Sequence, residues 1–260
     1  MPRLIANAET RSASLEETID ELHRIGFDPQ DEGSVDHAAR ALQRLANDRE
    51  FLGDLLLDML AGSAASPQSG YGPQAIVLSP PRGEWFLRAN IWPSERDTCL
   101  KSSGAAHFVY GAPHDHNFDF LTVGYFGPSY VSDYYEFDYE RVTGWRGEAA
   151  ELRFVERSAL SEGKTLLYRA HRDVHSQLPP ETMSVSLNIL RIDPAQAWRD
   201  QYGFDLEHGT VSHVLNPTSS EAFLRCAVGL GGEEARDLAG VAGSLGGARP
   251  KANVEGDGHL

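Results

Sequence analysis

The stretch Tyr110–Gly127, "YGAPHDHNFDFLTVGYFG", sets two histidines one residue apart between a Gly-Ala-Pro turn and an aromatic, β-branched run. A strand projects alternate side chains to one face. His114 and His116 would then point the same way, with Asp115 opposite. Two imidazoles side by side gain little as ordinary core. They gain much if they share a metal ion, because neutral imidazole is the commonest metal ligand.

The surrounding chain has the texture of an all-β sandwich or barrel. "AIVLSP", "GEWFLRANIWP", "AHFVYGAP", "FDFLTVGYFG", "SDYYEFDYE", "AELRFVERSAL", "KTLLYRA" and "MSVSLNILRI" are short aromatic or branched runs, many separated by Gly or Pro. Residues 12–62 read instead as helices. Ser14 followed by Glu17 has the form of a capping box, and Leu15, Ile19, Leu22 and Ile25 recur at helical spacing. A second helix is expected from near Ser34, and "REFLGDLLLDMLAG" as a third with Gly62 as its stop. The turn-rich Ser63–Pro73 reads as a boundary. The expected organisation is a helical segment over 1–65, a β-barrel over 66–196, a helical segment over 197–245 and a disordered tail over 246–260.

The chain has 260 residues and a formal net charge of −15. No basic footprint of nucleic-acid binding is present. Cys99 and Cys226 form no disulfide framework, and no window carries the ~18 apolar residues of a membrane span. These features lead us to expect a cytoplasmic protein with a small-molecule partner, no nucleic acid and no membrane; a homo-oligomer is compatible with them.

Of ten histidines, His107, His114, His116, His171 and His175 fall in the β region. In "GKTLLYRAHRDVHSQLPPETMSVSLNIL" a turn is expected near Arg169–Asp173, and His175 lies where the chain would re-enter the barrel. A jelly-roll brings distant strands together, so a third histidine can join the first two.

This pattern resembles the cupin superfamily, whose first motif is roughly G-x5-H-x-H-x3,4-E-x6-G and whose second is roughly G-x5-P-x-G-x2-H-x3-N. His114 and His116 match H-x-H, and Gly127 falls at the closing glycine. Phe120 and Leu121 stand where the glutamate is usual. Gly163 to His175 is one residue longer than the second motif's spacing. Without the glutamate, the chain is similar to the three-histidine group that includes thiol dioxygenases such as cysteine dioxygenase. The matching pieces are "HDH" (114–116), "HR" (171–172) and "SLNI" (186–189). The second-motif spacing favours His175 as the third ligand, whereas the thiol-dioxygenase comparison favours His171. The resemblance covers Ala75 to Ile192 and implies a cupin-like jelly-roll barrel, mainly β, with an N-terminal helical layer and short C-terminal helices.

Three neutral imidazoles with no carboxylate favour Fe(II), Cu, Ni or Zn over Mg or Ca. The first expectation is an Fe(II)-dependent oxygenase of a small organic or amino-acid-like substrate. Phe86, Phe118, Phe120, Tyr125 and Tyr168 are candidates for an apolar pocket wall, and Arg88, Arg169 and Arg172 for a clamp on a substrate carboxylate. His107 and Asp119 are expected outside the ligand set. The alternatives are a non-redox metal- or ligand-binding sensor or storage module, and a zinc- or nickel-dependent isomerase or lyase.

Overall fold

The computed structural model describes residues 2–6, 8–62, 74–79, 81, 83–216, 220–234, 236, 237 and 240. In chain order the elements are β1 (Arg3–Ile5), α1 (Leu15–Ile25), α2 (Glu32–Asn47), α3 (Phe51–Leu60), β2 (Ala75–Val77), β3 (Trp85–Trp92) and α4 (Thr98–Ser103). There follow β4 (Phe120–Phe126), β5 (Val131–Glu136), β6 (Arg153–Ala159), β7 (Thr165–Tyr168), β8 (Asp173–Leu178) and β9 (Ser184–Arg191). The hairpin β10 (Tyr202–Asp205) and β11 (Thr210–Val214) precedes α5 (Ser220–Gly229).

The larger sheet has the antiparallel order β1-β7-β4-β9-β3-β2, and a second has the order β6-β5-β8. Between β4 and β9 the chain passes back and forth between the two sheets, as a jelly-roll requires. The expected mainly β architecture, with an N-terminal helical layer, is the one found.

The larger sheet has two working faces. Leu87, Ala89, Leu121, Val123, Leu187 and Ile189 pack against Leu22, Val35, Leu42 and Leu45 of the helices. The residues between them, Phe86, Phe120, Tyr168 and Leu190, turn into the barrel with Trp92, Tyr130 and Tyr134. This is the period-2 consequence of strand geometry.

The helices form for the reasons read from sequence. The Ser14–Glu17 capping box is present, with the Glu17 N–H donating to Ser14 Oγ at 3.1 Å and the Ser14 N–H to Glu17 Oε2 at 2.8 Å. The second helix starts earlier than expected, because Asp31 rather than Ser34 caps it: Asp31 Oδ1 accepts from the Gly33 N–H at 2.8 Å. Gly62 follows α3 with φ +73°, a left-handed stop. Gly127 has φ +86°, and a Cβ there would lie 2.3 Å from the Met183 carbonyl oxygen.

Several expectations are corrected. The N-terminal helical segment also supplies β1, which pairs with β7. The run "AHFVYGAP" is not a strand: Ala105–Phe108 is a 3₁₀ turn, flanked by positive φ at Gly104 and Val109 that break an extended path. The segment 197–245 opens with a β-hairpin before its helix α5. That hairpin buries Tyr202, Phe204 and Val211 against Phe137, Tyr139 and Val174, so its strands are fixed by tertiary contacts that its polar sequence does not announce. The boundary at Ser63–Pro73 and the tail at 246–260 lie outside the described residues, as does most of the second expected C-terminal helix.

Candidate metal centre

His114 and His116 sit just before β4, not within it. His114 forms single-residue bridges with His175 on one side and Gly203 on the other. The His114 N–H donates to the His175 carbonyl and the His175 N–H donates back, both at 3.0 Å. This residue therefore joins the β6-β5-β8 sheet to the β10-β11 hairpin. Asp115 points away and ties down the hairpin: its Oδ1 accepts from the Tyr202 N–H at 2.6 Å.

His114, His116 and His175 converge, with one ligand nitrogen from each lying within 4.8 Å of the others. His116 Nε2 is 3.1 Å from His175 Nε2, which is 3.2 Å from His114 Nε2. His114 Nδ1 lies 2.7 Å from the Ala112 carbonyl oxygen, which can only accept. Nδ1 therefore carries the proton and Nε2 presents a lone pair. A proton on His175 Nε2 serves only one of its two neighbours. One metal ion satisfies all three nitrogens. With metal–nitrogen bonds of about 2.1 Å, adjacent ligands on an octahedron stand about 3.0 Å apart and on a tetrahedron about 3.4 Å. The two measured separations fall in that interval, so the residues fit a first-row ion.

The electrostatics agree. Burial, followed by the neighbouring imidazoles, holds His116 and His175 well below the usual histidine range; burial also lowers His114. All three stay neutral at pH 7, as ligands must. Outer partners fix the rings: His175 Nδ1 is 3.2 Å from the Tyr168 hydroxyl, itself 3.1 Å from the Tyr134 hydroxyl. His116 Nδ1 is buried with no hydrogen-bond partner among the described residues.

The histidines open onto a cavity of about 280 Å³. Arg88, Phe118 and Phe120 line it, and so does the exposed His107. The Phe118 and Phe120 rings stand 5.1 and 4.8 Å from that of His116. Tyr168, a candidate for the pocket wall, packs behind the cavity and holds His175 by its hydroxyl. Phe86 packs in the barrel core without lining this cavity, and the remaining candidates lie elsewhere. Tyr125 is on the other face of β4, packed on Phe51 in the helical core, because its odd number opposes the parity of His116 and Phe120. Arg172 is half exposed, 3.7 Å from Glu136, and lines outer cavities only. Arg169 pairs with Asp173 and Glu136. His171 stays outside the cluster, with φ +57° and its ring 4.3 Å from that of Tyr139. Asp119 accepts from the Ala170 N–H at 3.0 Å. Asn90 and Gln177 were missed, although each shares the parity of a candidate: Asn90 follows Arg88 by two on β3, and Gln177 follows His175 by two on β8.

Asp115 gives a test of the support beneath the site. Burial pushes its carboxyl up to about 8. In the unfolded chain an aspartate titrates near 4, so the folded state keeps a proton that the unfolded chain has lost between about pH 4 and 8. Its contribution to stability must fall as pH rises through that window. In urea melts of metal-stripped protein, wild type should lose stability relative to Asp115→Asn, which keeps an acceptor for Tyr202, as pH rises from 5 to 8; His114, His116 and His175, held neutral by burial, raise stability over the same range in both proteins and cancel in the comparison. A difference that does not change with pH would rule Asp115 out as its source.

No protein-family model matches the chain, and no curated protein matches it. Among solved structures, the chain is similar to DMSP lyase DddQ from Ruegeria pomeroyi DSS-3, at 10% identity with TM-score 0.30, over 74% of this chain and 79% of that one. A structure described as DMSP lyases RdDddP and RnDddQII matches at 14% identity and TM-score 0.30, over 72% and 77%. Hydroquinone 1,2-dioxygenase PnpCD, in complex with Cd2+ and 4-hydroxybenzonitrile, matches at 13% identity and TM-score 0.30, over 73% and 92%.

Proposed function

We propose that this chain is a metal-dependent enzyme, a non-haem Fe(II) oxygenase whose ion is held by His114, His116 and His175 and whose substrate is a small organic or amino-acid-like molecule. The observation that carries this reading is the convergence of three neutral, buried ring nitrogens beside a small cavity. When bound, Fe(II) supplies electrons for dioxygen activation and polarises a substrate heteroatom. The remaining tasks fall to the chain. Ala112 and Tyr168 orient the rings of His114 and His175. Phe118 and Phe120 limit water beside His116. Arg88, on the same cavity wall, offers a fixed cation for orienting an acidic substrate.

The test is elemental analysis of untagged protein, followed by dioxygen uptake with a panel of small acids. Iron near one per chain and substrate-dependent uptake are the expected results. Zinc or nickel with anaerobic turnover would replace this reading with an isomerase or lyase. A bound ion without turnover would replace it with a sensor or storage role.

A further inference from the structure

A second cavity, of about 660 Å³, lies on the outer side of the barrel wall, between β1, the turn before α2 and the turn from β7 to β8. Its lining includes the exposed Glu32 and Asp193, so it opens to solvent. Among the described residues, Phe118 alone lines both this cavity and that of the histidines. The partition follows the alternation of an extended chain. His116, Phe118 and Phe120 line the inner cavity, and Asn117 and Asp119 the outer one. At Phe118 the wall is one residue thick.

This wall is pinned at its ends. The His116 carbonyl accepts from the His171 N–H at 2.8 Å, and the Asp119 carbonyl from the Arg191 N–H at 2.9 Å. Between these points neither Asn117 nor Phe118 makes a hydrogen bond to a described residue. Few ties of this kind mark the parts of a fold that open at low cost. The Phe118 ring is half-buried, 5.1 Å from that of His116 and 5.7 Å from that of Phe120. Turning it aside would join the two cavities.

We infer that the outer cavity is the antechamber through which a small organic molecule reaches the histidines, and that Phe118 is the door that sets the size admitted. The outer volume is that of a small-molecule site, whereas the inner one, about 280 Å³, falls below that range. A molecule can therefore be received outside before its reacting end passes Phe118. The inner cavity also reaches the exposed His107, which leaves a separate approach for the second reactant of an oxygenase. The inference rests on the proposed function only in taking the inner cavity as the place of reaction.

The experiment is carbethoxylation of the full, metal-stripped chain by diethyl pyrocarbonate, read at each histidine by peptide mass spectrometry. Circular dichroism first confirms that the stripped chain and every variant keep the fold. The exposed His208 is the internal reference. In Phe118→Ala, His114, His116 and His175 should be modified at least ~10-fold faster relative to His208 than in wild type, because the reagent no longer waits for a local opening. If that variant misfolds, Phe118→Leu gives the same test with a smaller gain. Adding Ala195→Trp, or Gln196→Trp where the first does not fold, fills the outer cavity and should abolish the gain. Adding His107→Trp at the other mouth should leave it. No gain in the folded Phe118 variant would overturn the inference. So would a gain that survives the filled outer cavity, or one that is lost with His107→Trp. No ion takes part in these measurements, so a failed metal analysis would remove the proposed function and leave this route standing.

Discussion

His116→Ala should strip the metal from the protein while leaving both sheets in place. His116 brings its Nε2 to 3.1 Å from that of His175, and its other ring nitrogen has no partner among the described residues to lose. Truncation therefore removes a ligand without orphaning a donor elsewhere. Changes to a metal site's outer partners alone cost about 10–100-fold in affinity, so loss of a ligand should cost at least ~100-fold. His114→Ala should do the same. His107→Ala and His171→Ala should retain the ion, since neither ring joins the cluster. The checks are metal per chain after gel filtration, with circular dichroism to confirm the fold. Full occupancy in both His114→Ala and His116→Ala would eliminate the centre and the oxygenase reading together.

The largest effect on stability is expected at the opposite face of the same sheet. Leu42 of α2 is fully buried in the core shared by the helices and the larger sheet. Leu42→Ala should cost about 2–5 kcal/mol, the lost transfer energy plus the cavity left behind. At about 2–4 °C per kcal/mol for a chain of this size, the melting temperature should fall by roughly 4–20 °C. Metal affinity of the folded fraction should hardly move, because Leu42 and the histidines lie on opposite sides of β4 and β9. A loss of metal equal to that in His116→Ala would show that the two faces are coupled.

The sequence was legible where local rules agree with the fold. The Ser14–Glu17 box and the alternation in β3, β4 and β9 all report their roles directly. The His114–His116 pair and the barrel position of His175 were legible for the same reason, since alternation and strand return were enough to bring them together. β8 was obscured: "DVHSQL" is polar, yet five of its six residues are buried. A strand that carries His175 and Gln177 inward lacks the apolar alternation of the other runs, so the expected turn near Arg169–Asp173 was followed by no strand of its own. Tyr125 was misplaced because aromatic character was weighed above parity. The hairpin at 202–214 was invisible because its partners, Asp115 and Pro113, lie far upstream.

The single-residue bridge at His114 has a consequence for the order in which the molecule is made. Its backbone hydrogen bonds reach forward to His175 and its neighbours reach Tyr202 and Phe204, so segments far downstream hold its main chain in place. Closing such distant segments costs chain entropy before any contact rewards it. The centre should therefore be among the last parts of the chain to assemble. A metal ion would meet a finished pocket and not a nascent chain, and refolding traces should show the His114 and His175 amides gaining exchange protection later than those of α2.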